Sequence, residues 1–251
     1  MIRVILTAIF IFSPTQLIAQ SIDDNFWVSV KPKTLGIDPS KIKYLNRIAF
    51  EDSSTQALIV VKDGKLIHEK YADGFDKTSH GTSWSMAKSF YAALVGISLE
   101  KGEIESLDDP VSKYLPQFGD DRRSITLRNI LNMDGGLEYP EDQHEKMFLY
   151  NDQLKYALSV PLEKKPGSIW EYNNVNSMLL GAILESATGI SADALLEERI
   201  LEPLGINNAT LWQDQSENVM AYCCIDLTAR DFSRFGLLFA QNGVWKGEQL
   251  I

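Results

Sequence analysis

The run "SWSMAKSFYAALVGISLEKG", Ser83 to Gly102, is apolar on nearly every face of the helix it predicts, roughly Ser85 to Lys101, with Gly102 as its stop. An ordinary surface helix buries one stripe, whereas a helix that is apolar all round has to be covered on every side. The rest of the chain must therefore supply layers on more than one flank of this segment. Its first turn holds Ser85 and Lys88, three residues apart. A lysine at the buried start of a central helix is costly unless its amine has a task.

The flanking sequence offers such layers. "ALIVVKDGKLIHEKY" contains two β-rich runs around Asp63-Gly64, a strong hairpin signal. An amphipathic helix is predicted before it, near Ser40 to Phe50. After the central helix comes a turn-rich connector, "LDDPVSKYLPQF", and then a short helix from Leu127 to Met133, capped by Thr126 and ended by Gly135-Gly136. "DQLKYALSV", "NSMLLGAILESATG" and "SADALLEERILEPLG" repeat apolar residues at helical spacing. Thr228-Ala-Arg-Asp231 reads as a capping box leading into "FSRFGLLFAQNG". Strands come first and helices dominate the middle, which predicts an α+β fold and not regular βαβ alternation.

Charge and targeting signals narrow the function classes. The 251 residues carry a formal net charge of −10, a poor match for nucleic acid or for an anionic membrane surface. Arg3, the apolar run Val4 to Phe12 and Leu17-Ile-Ala19 together predict a removable export signal over residues 1–19. A run of nine residues, eight of them apolar, is too short to span a bilayer, which takes roughly 20. Gln20 stands where a bacterial lipoprotein would need cysteine, so no stable membrane anchor is expected. The two cysteines, Cys223 and Cys224, are adjacent and are read as small packing residues. With His68, His80 and His144 scattered, no metal-ligand spacing is seen and no metal or other cofactor is implied.

Ser-x-x-Lys occurs three times, at Ser40-Lys43, Ser85-Lys88 and Ser98-Lys101. A serine hydroxyl is a weak nucleophile unless a base lies within hydrogen-bond reach. Residues three apart on a helix share a face, so Lys88 can return its amine to Ser85. A helix N-terminus favours developing negative charge, and burial lowers a lysine pKa, which makes a neutral amine available. Ser40-Lys43 has polar neighbours, and Ser98-Lys101 ends its helix, where lysine complements the dipole. A cap with a snorkelling lysine would explain Ser85-Lys88 in isolation. Its position at the start of the all-apolar helix favours the nucleophile.

A second constellation is Tyr172-Asn173-Asn174, set between Pro166-Gly167 and a buried helix. A phenol beside an ammonium relays a proton more readily than its usual pKa of about 10 allows. The Asn174 amide could orient a lysine or a substrate. A packed tyrosine with an Asn cap explains the same residues, and Tyr-x-Asn recurs at Tyr44-Leu-Asn46. Ser216-Glu-Asn218 is a further candidate for the relay position.

"SMAKS", "GEIESLDDPVSKYLPQF", "ITLRNILNMDGGL", "PGSIWEYNNVNSMLLGAILESATG", "EPLGINNAT" and "LTARDFSRFGLLFAQNGVWKGEQLI", in this order, resemble β-lactamase-related serine hydrolases. The branch most resembled contains 6-aminohexanoate-dimer hydrolases and class C-like esterases, and the resemblance runs from about Ala57 onward. It implies an antiparallel sheet flanked by helices, with a mostly helical region across the cleft. It also implies Ser85 as acylated nucleophile, Lys88 as base, Tyr172 as proton relay, Asn174 as substrate- or lysine-orienting residue, and the Ser85 N–H as half of an oxyanion hole. Asn132-Met-Asp-Gly-Gly136 stands where many relatives have His-Thr-Ser-Gly, a position that is structural in the family. The family's third motif, Lys-Thr-Gly or His-x-Gly, does not occur in these residues, and the last sheet strands are expected to be missing from them.

The expectation is an exported, periplasmic or secreted hydrolase that cleaves a small ester or amide through an acyl-enzyme on Ser85. Residues 20–251 would form its domain, the α/β part about 22–102 and 227–251 and the helical part about 103–226. A D,D-peptidase or β-lactamase is the alternative enzyme, and a non-catalytic binding or sensing module is the alternative from another class.

Overall fold

The computed structural model describes residues 26–139 and 146–251. The export segment and His144 lie outside the described residues. Helix α1 (Pro39–Ala49) starts at Asp38, whose carboxylate accepts the Ser40 N–H at 2.8 Å. Strands β1 (Ala57–Lys62) and β2 (Lys65–Tyr71) then pair antiparallel, with Ala57 opposite Tyr71. Asp63 and Gly64 both have positive φ, 50° and 71°, as the two-residue turn demands. A turn of that hand follows the natural twist of the strands, which is why Asp-Gly was so clear a signal.

Strand β3 (His80–Thr82) leads through a 3₁₀ turn, Trp84–Met86, into helix α2 (Ala87–Glu100). This is the helix expected to be covered all round; Ala87, Phe90, Leu94 and Val95 are fully buried, but Ser89, Ala92, Gly96 and Glu100 form an exposed stripe, so one face stays open. It packs against two later helices on one flank, while Phe90 stacks on Phe235 at 3.6 Å on another. Burying a large apolar side chain contributes about 1.5–3 kcal/mol, so this helix is a main source of cohesion between the layers.

Helix α3 (Leu127–Asn132) has the reciprocal capping box predicted at Thr126, closed by the Asn129 side chain. It ends one step earlier than the Gly-Gly pair suggested, because Met133 itself adopts the left-handed conformation at φ 59°. Helices α4 (Gln153–Ser159), α5 (Asn174–Thr188) and α6 (Ala192–Leu196) follow, and α6 runs on into a π-helical turn, Glu197–Leu201. Helix α5 is buried along most of its length and packs on α2, α3 and α4.

Strands β4 (Thr210–Leu211) and β5 (Ile225–Thr228) precede helix α7 (Ala229–Ala240), whose N-cap is Thr228 as expected. The chain then forms β6 (Val244–Trp245) and β7 (Glu248–Gln249). Among the described residues the sheet structure is three antiparallel pieces, β1-β2, β3-β5-β4 and β6-β7. Cys223 and Cys224, read from sequence as packing thiols, are buried as expected but are joined to each other. The peptide between them is cis, an arrangement the sequence gives no means to foresee.

Candidate active site

Ser85 is placed by a turn anchored at both ends. On its N-terminal side Ser83 exchanges two hydrogen bonds with Ile225 of β5, N–H to carbonyl and side-chain oxygen from N–H, each 2.8 Å. Thr82 adds a side-chain hydrogen bond to Asp226 at 2.5 Å. Trp84 carries the chain round with φ 46°, an unusual conformation for a bulky residue and one that tends to be held at functional sites. On its C-terminal side the 3₁₀ turn continues directly into α2, so Lys88 falls one turn after Ser85.

The Lys88 Nζ lies 3.1 Å from Ser85 Oγ and donates a second hydrogen bond to the main-chain carbonyl of Tyr222 at 2.6 Å. The Tyr172 Oη lies 2.5 Å from the same Ser85 Oγ. The amine also sits 5.1 Å from the Tyr172 ring centroid and 5.6 Å from that of Tyr222, between two aromatic faces. Burial holds the Lys88 amine below the ordinary lysine range, and Tyr172 only partly opposes the shift. Desolvation pushes the Tyr172 phenol upward, but its hydrogen bonds with Ser85 and Lys88, with the Lys88 charge, outweigh that and hold it below its usual value.

Tyr172 owes its position to a brace between two loops. Glu171 donates its N–H to the Met133 carbonyl at 3.0 Å, and Gly167 donates to Asp134 at 2.8 Å. The Gly136 carbonyl accepts from both Glu163 and Lys164, at 2.8 and 3.0 Å. The Asn173 amide donates to Leu137 at 3.1 Å and its oxygen caps Val175 at 2.9 Å, fixing the entry into α5. The segment Asn132–Gly136, taken from the sequence as structural, is the other half of this brace.

Three of the four residues singled out in the sequence thus converge on one oxygen. Asn174 does not join them directly. It opens α5, its side chain meets the Tyr139 phenol, and its Oδ1 is buried without a hydrogen-bond partner among the described residues. The place at Lys88 is taken by the Tyr222 carbonyl, which sequence reasoning missed because every residue carries one. The competing motifs are engaged elsewhere. Ser40 lies in the exposed first turn of α1 and gives its N–H to the Asp38 cap, and the Ser98 Oγ is buried against Arg199 at 3.2 Å. Ser216 and Asn218 both donate to Asp214, at 2.9 Å from their N–H groups.

Chemically, the arrangement can deprotonate a serine, hold the proton nearby and return it to a leaving group through a phenol. The profile of the Beta-lactamase family matches residues 50–220 of this chain. A protein of Escherichia coli strain K12, provisionally assigned as a D-alanyl-D-alanine carboxypeptidase, is 28% identical over 60% of this chain and 42% of its own length. A relative from Salmonella heidelberg with the same assignment is 28% identical over 72% of this chain and 49% of its own. Among solved structures, one provisionally assigned as a 6-aminohexanoate-dimer hydrolase from Bacillus anthracis has a TM-score of 0.73 and 26% identity, covering 83% of this chain and 59% of that one. The octameric penicillin-binding protein homologue from Pyrococcus abyssi shares the fold at a TM-score of 0.69 and 19% identity, covering 86% of this chain and 58% of that one. The chain spans less than half the length of these curated relatives.

Proposed function

The chain belongs to the beta-lactamase family, and on that premise we propose that it acts as an exported serine hydrolase, cleaving a small ester or amide by acyl transfer. The observation that carries this reading is the convergence of the Lys88 amine and the Tyr172 phenol on the Ser85 Oγ, at 3.1 and 2.5 Å. Lys88, whose burial favours the neutral amine, accepts the Ser85 proton as Oγ attacks the substrate carbonyl. The oxyanion that forms is met by the Ser85 N–H, in the first turn of a helical segment where N–H groups lack intrahelical partners. Tyr172 passes a proton to the departing alcohol or amine, leaving the acyl group on Ser85. Water then attacks the acyl-enzyme and gives its proton to the Tyr172 phenolate, and the acid leaves as Lys88 returns its proton to the Ser85 Oγ. Resemblance of the Tyr172-Asn173-Asn174 motif assigns Asn174 an orienting role, toward the lysine or the substrate.

The test is covalent. Incubation with a fluorophosphonate, followed by intact-mass measurement and peptide mapping, should add one label on Ser85, and a Ser85→Ala variant should stay unlabelled. An unlabelled wild-type protein that nevertheless unfolds cooperatively would turn the reading to a non-catalytic binding module. A second enzymatic reading, a D,D-peptidase, is favoured by the assignment of the Escherichia coli and Salmonella relatives. Hydrolysis of nitrophenyl esters and linear amides without release of D-alanine from D-alanyl-D-alanine peptides supports the first reading, and the reverse pattern supports the second. Nitrocefin turnover would mark a β-lactamase. Export is tested by the N-terminus of the mature protein, expected at Gln20 or Ser21.

A further inference from the structure

The Tyr222 carbonyl is the second anchor of the Lys88 amine, and the rest of Tyr222 is held with equal care. Its side chain is 1% exposed, with the ring of Phe148 5.2 Å away. Its phenol donates to the Gln153 Oε1 at 2.7 Å, and Gln153 is itself buried at the start of α4. The Gln153 N–H donates to Asp214 at 2.7 Å. Asp214 also gathers the N–H groups of Ser216 and Asn218, and the Asn218 amide returns to Asp152, the cap of α4, at 3.1 Å. The loop carrying Tyr222 is thus pinned to α4 at one end and to the Lys88 amine at the other. This is where the Ser216-Glu-Asn218 motif finds its place.

From this chain of contacts we propose that Tyr222 and Gln153 are positioning residues for Lys88, fixing the direction in which its amine offers its lone pair. The proposal rests on Lys88 acting as base for Ser85. A neutral amine has two N–H groups and one lone pair, and it rotates freely about its carbon unless an N–H is engaged. Commitment of one N–H to the Tyr222 carbonyl removes most of that freedom, so the lone pair is presented to the Ser85 hydroxyl. That carbonyl holds its place only while its own residue cannot swing, and the Tyr222–Gln153 hydrogen bond prevents the swing. An oriented base is worth far more than a mobile one at the same distance. The Tyr172 and Tyr222 rings on either side also limit the water that reaches the amine. Of the titratable groups around it, Tyr172 and Tyr222 face Lys88, while Tyr139 and Asp214 face the Tyr222 phenol.

Tyr222→Phe removes one hydroxyl, and Gln153→Leu removes its acceptor. Each should lower the rate constant for Ser85 acylation about tenfold, with the half-saturating concentration nearly unchanged. Each should also admit water to the amine. Lys88, followed by NMR of ¹³Cε-labelled lysine with Lys88→Met to assign the signal, should then titrate about half a pH unit or more above its wild-type midpoint. Because both changes break one hydrogen bond, the double variant should be no worse than either single one. Unchanged titration and rate in a Tyr222→Phe protein that is merely less stable would overturn the proposal, as would additive losses. Should wild-type Ser85 fail to acylate at all, the hydrolase reading falls while the Lys88 titration still decides whether Tyr222 positions the amine.

Discussion

The Tyr172 phenol stands 2.5 Å from the Ser85 Oγ across 87 residues of sequence, while Lys88 approaches the same oxygen from its own helix at 3.1 Å. The local partner needs only helical spacing. The distant one needs the brace between Met133–Leu137 and Glu163–Asn173 to hold Tyr172 over a turn fixed to β5. Groups from the helical region and from the turn fixed to β5 meet at that hydroxyl.

The three Ser-x-x-Lys matches should separate cleanly on labelling. Ser85→Ala should abolish modification by a fluorophosphonate, whereas Ser40→Ala and Ser98→Ala should leave it nearly intact. Ser98→Ala should instead lower stability by about 1 kcal/mol, because its buried hydroxyl meets Arg199. Labelling that survives Ser85→Ala would place the nucleophile elsewhere.

Loss of either proton carrier should be felt in the rate. Lys88→Ala and Tyr172→Phe should each reduce turnover by about 10² to 10⁴, the range for a general acid or base. The Ser85→Ala/Lys88→Ala pair should be scarcely worse than either single change, since nucleophile and base act as one unit. Activity should rise as pH rises through the Lys88 pKa, which burial holds below the ordinary lysine range. The same shift has a stability sign. The unfolded chain binds the Lys88 proton more tightly than the folded one, so this group favours unfolding at pH values below its lowered pKa. That penalty is full below the folded pKa, shrinks as pH rises between the folded and unfolded values, and vanishes once the unfolded lysine has titrated, at about 10.4. Lys88→Met should therefore raise the urea midpoint at neutral pH, and an unchanged midpoint would mean the amine costs nothing where it sits.

Legibility from sequence followed the range of the interactions. The hairpin at Asp63-Gly64, the caps at Thr126 and Thr228 and the all-apolar α2 are local signals, and each formed within a residue or two of its expected place. Ser85 and Lys88 were readable for the same reason. Strands β3, β4 and β5 are two to four residues long, too short for a periodicity to mark them, and β3 finds β5 only across more than a hundred residues. The Tyr222 carbonyl left no trace in the sequence, and neither did the contact of the Asn174 side chain with Tyr139.

Gly136 tests the brace. Its φ is 72°, and a Cβ there would fall 2.1 Å from the Lys164 carbonyl oxygen, which is backbone and cannot turn aside. Gly136→Ala should cost more than about 1 kcal/mol, since strain and collision add to the usual penalty of placing alanine at positive φ. Because the displaced loop carries Glu163 to Asn173, turnover should fall as well in the fraction that remains folded. Normal kinetics in a destabilised protein would show that Tyr172 does not depend on this contact.

Arg199 and Glu103 tie the segment just after α2 to the π-helical turn. Arg199 is 9% exposed and meets Glu103 through two hydrogen bonds, 2.6 and 2.7 Å, while a third reaches Ser98. The fork geometry is the strong form of this contact, and removing one partner leaves a buried guanidinium short of acceptors. Glu103→Gln should cost about 2–4 kcal/mol, less than for a fully enclosed pair because the Glu103 side chain keeps 26% of its exposure. The Arg199 hydrogen bonds hold the Glu103 carboxyl below the usual carboxylate range. Its folded pKa is thus depressed, so its contribution is fully present above the unfolded value of about 4.3 and is lost as pH falls through the folded one. Urea unfolding between about pH 5 and pH 3 should show the wild-type chain losing stability more steeply than Glu103→Gln, the two curves converging at the acid end. Parallel curves would mean that the carboxylate keeps the same proton affinity folded and unfolded, and that the bridge is held by shape alone.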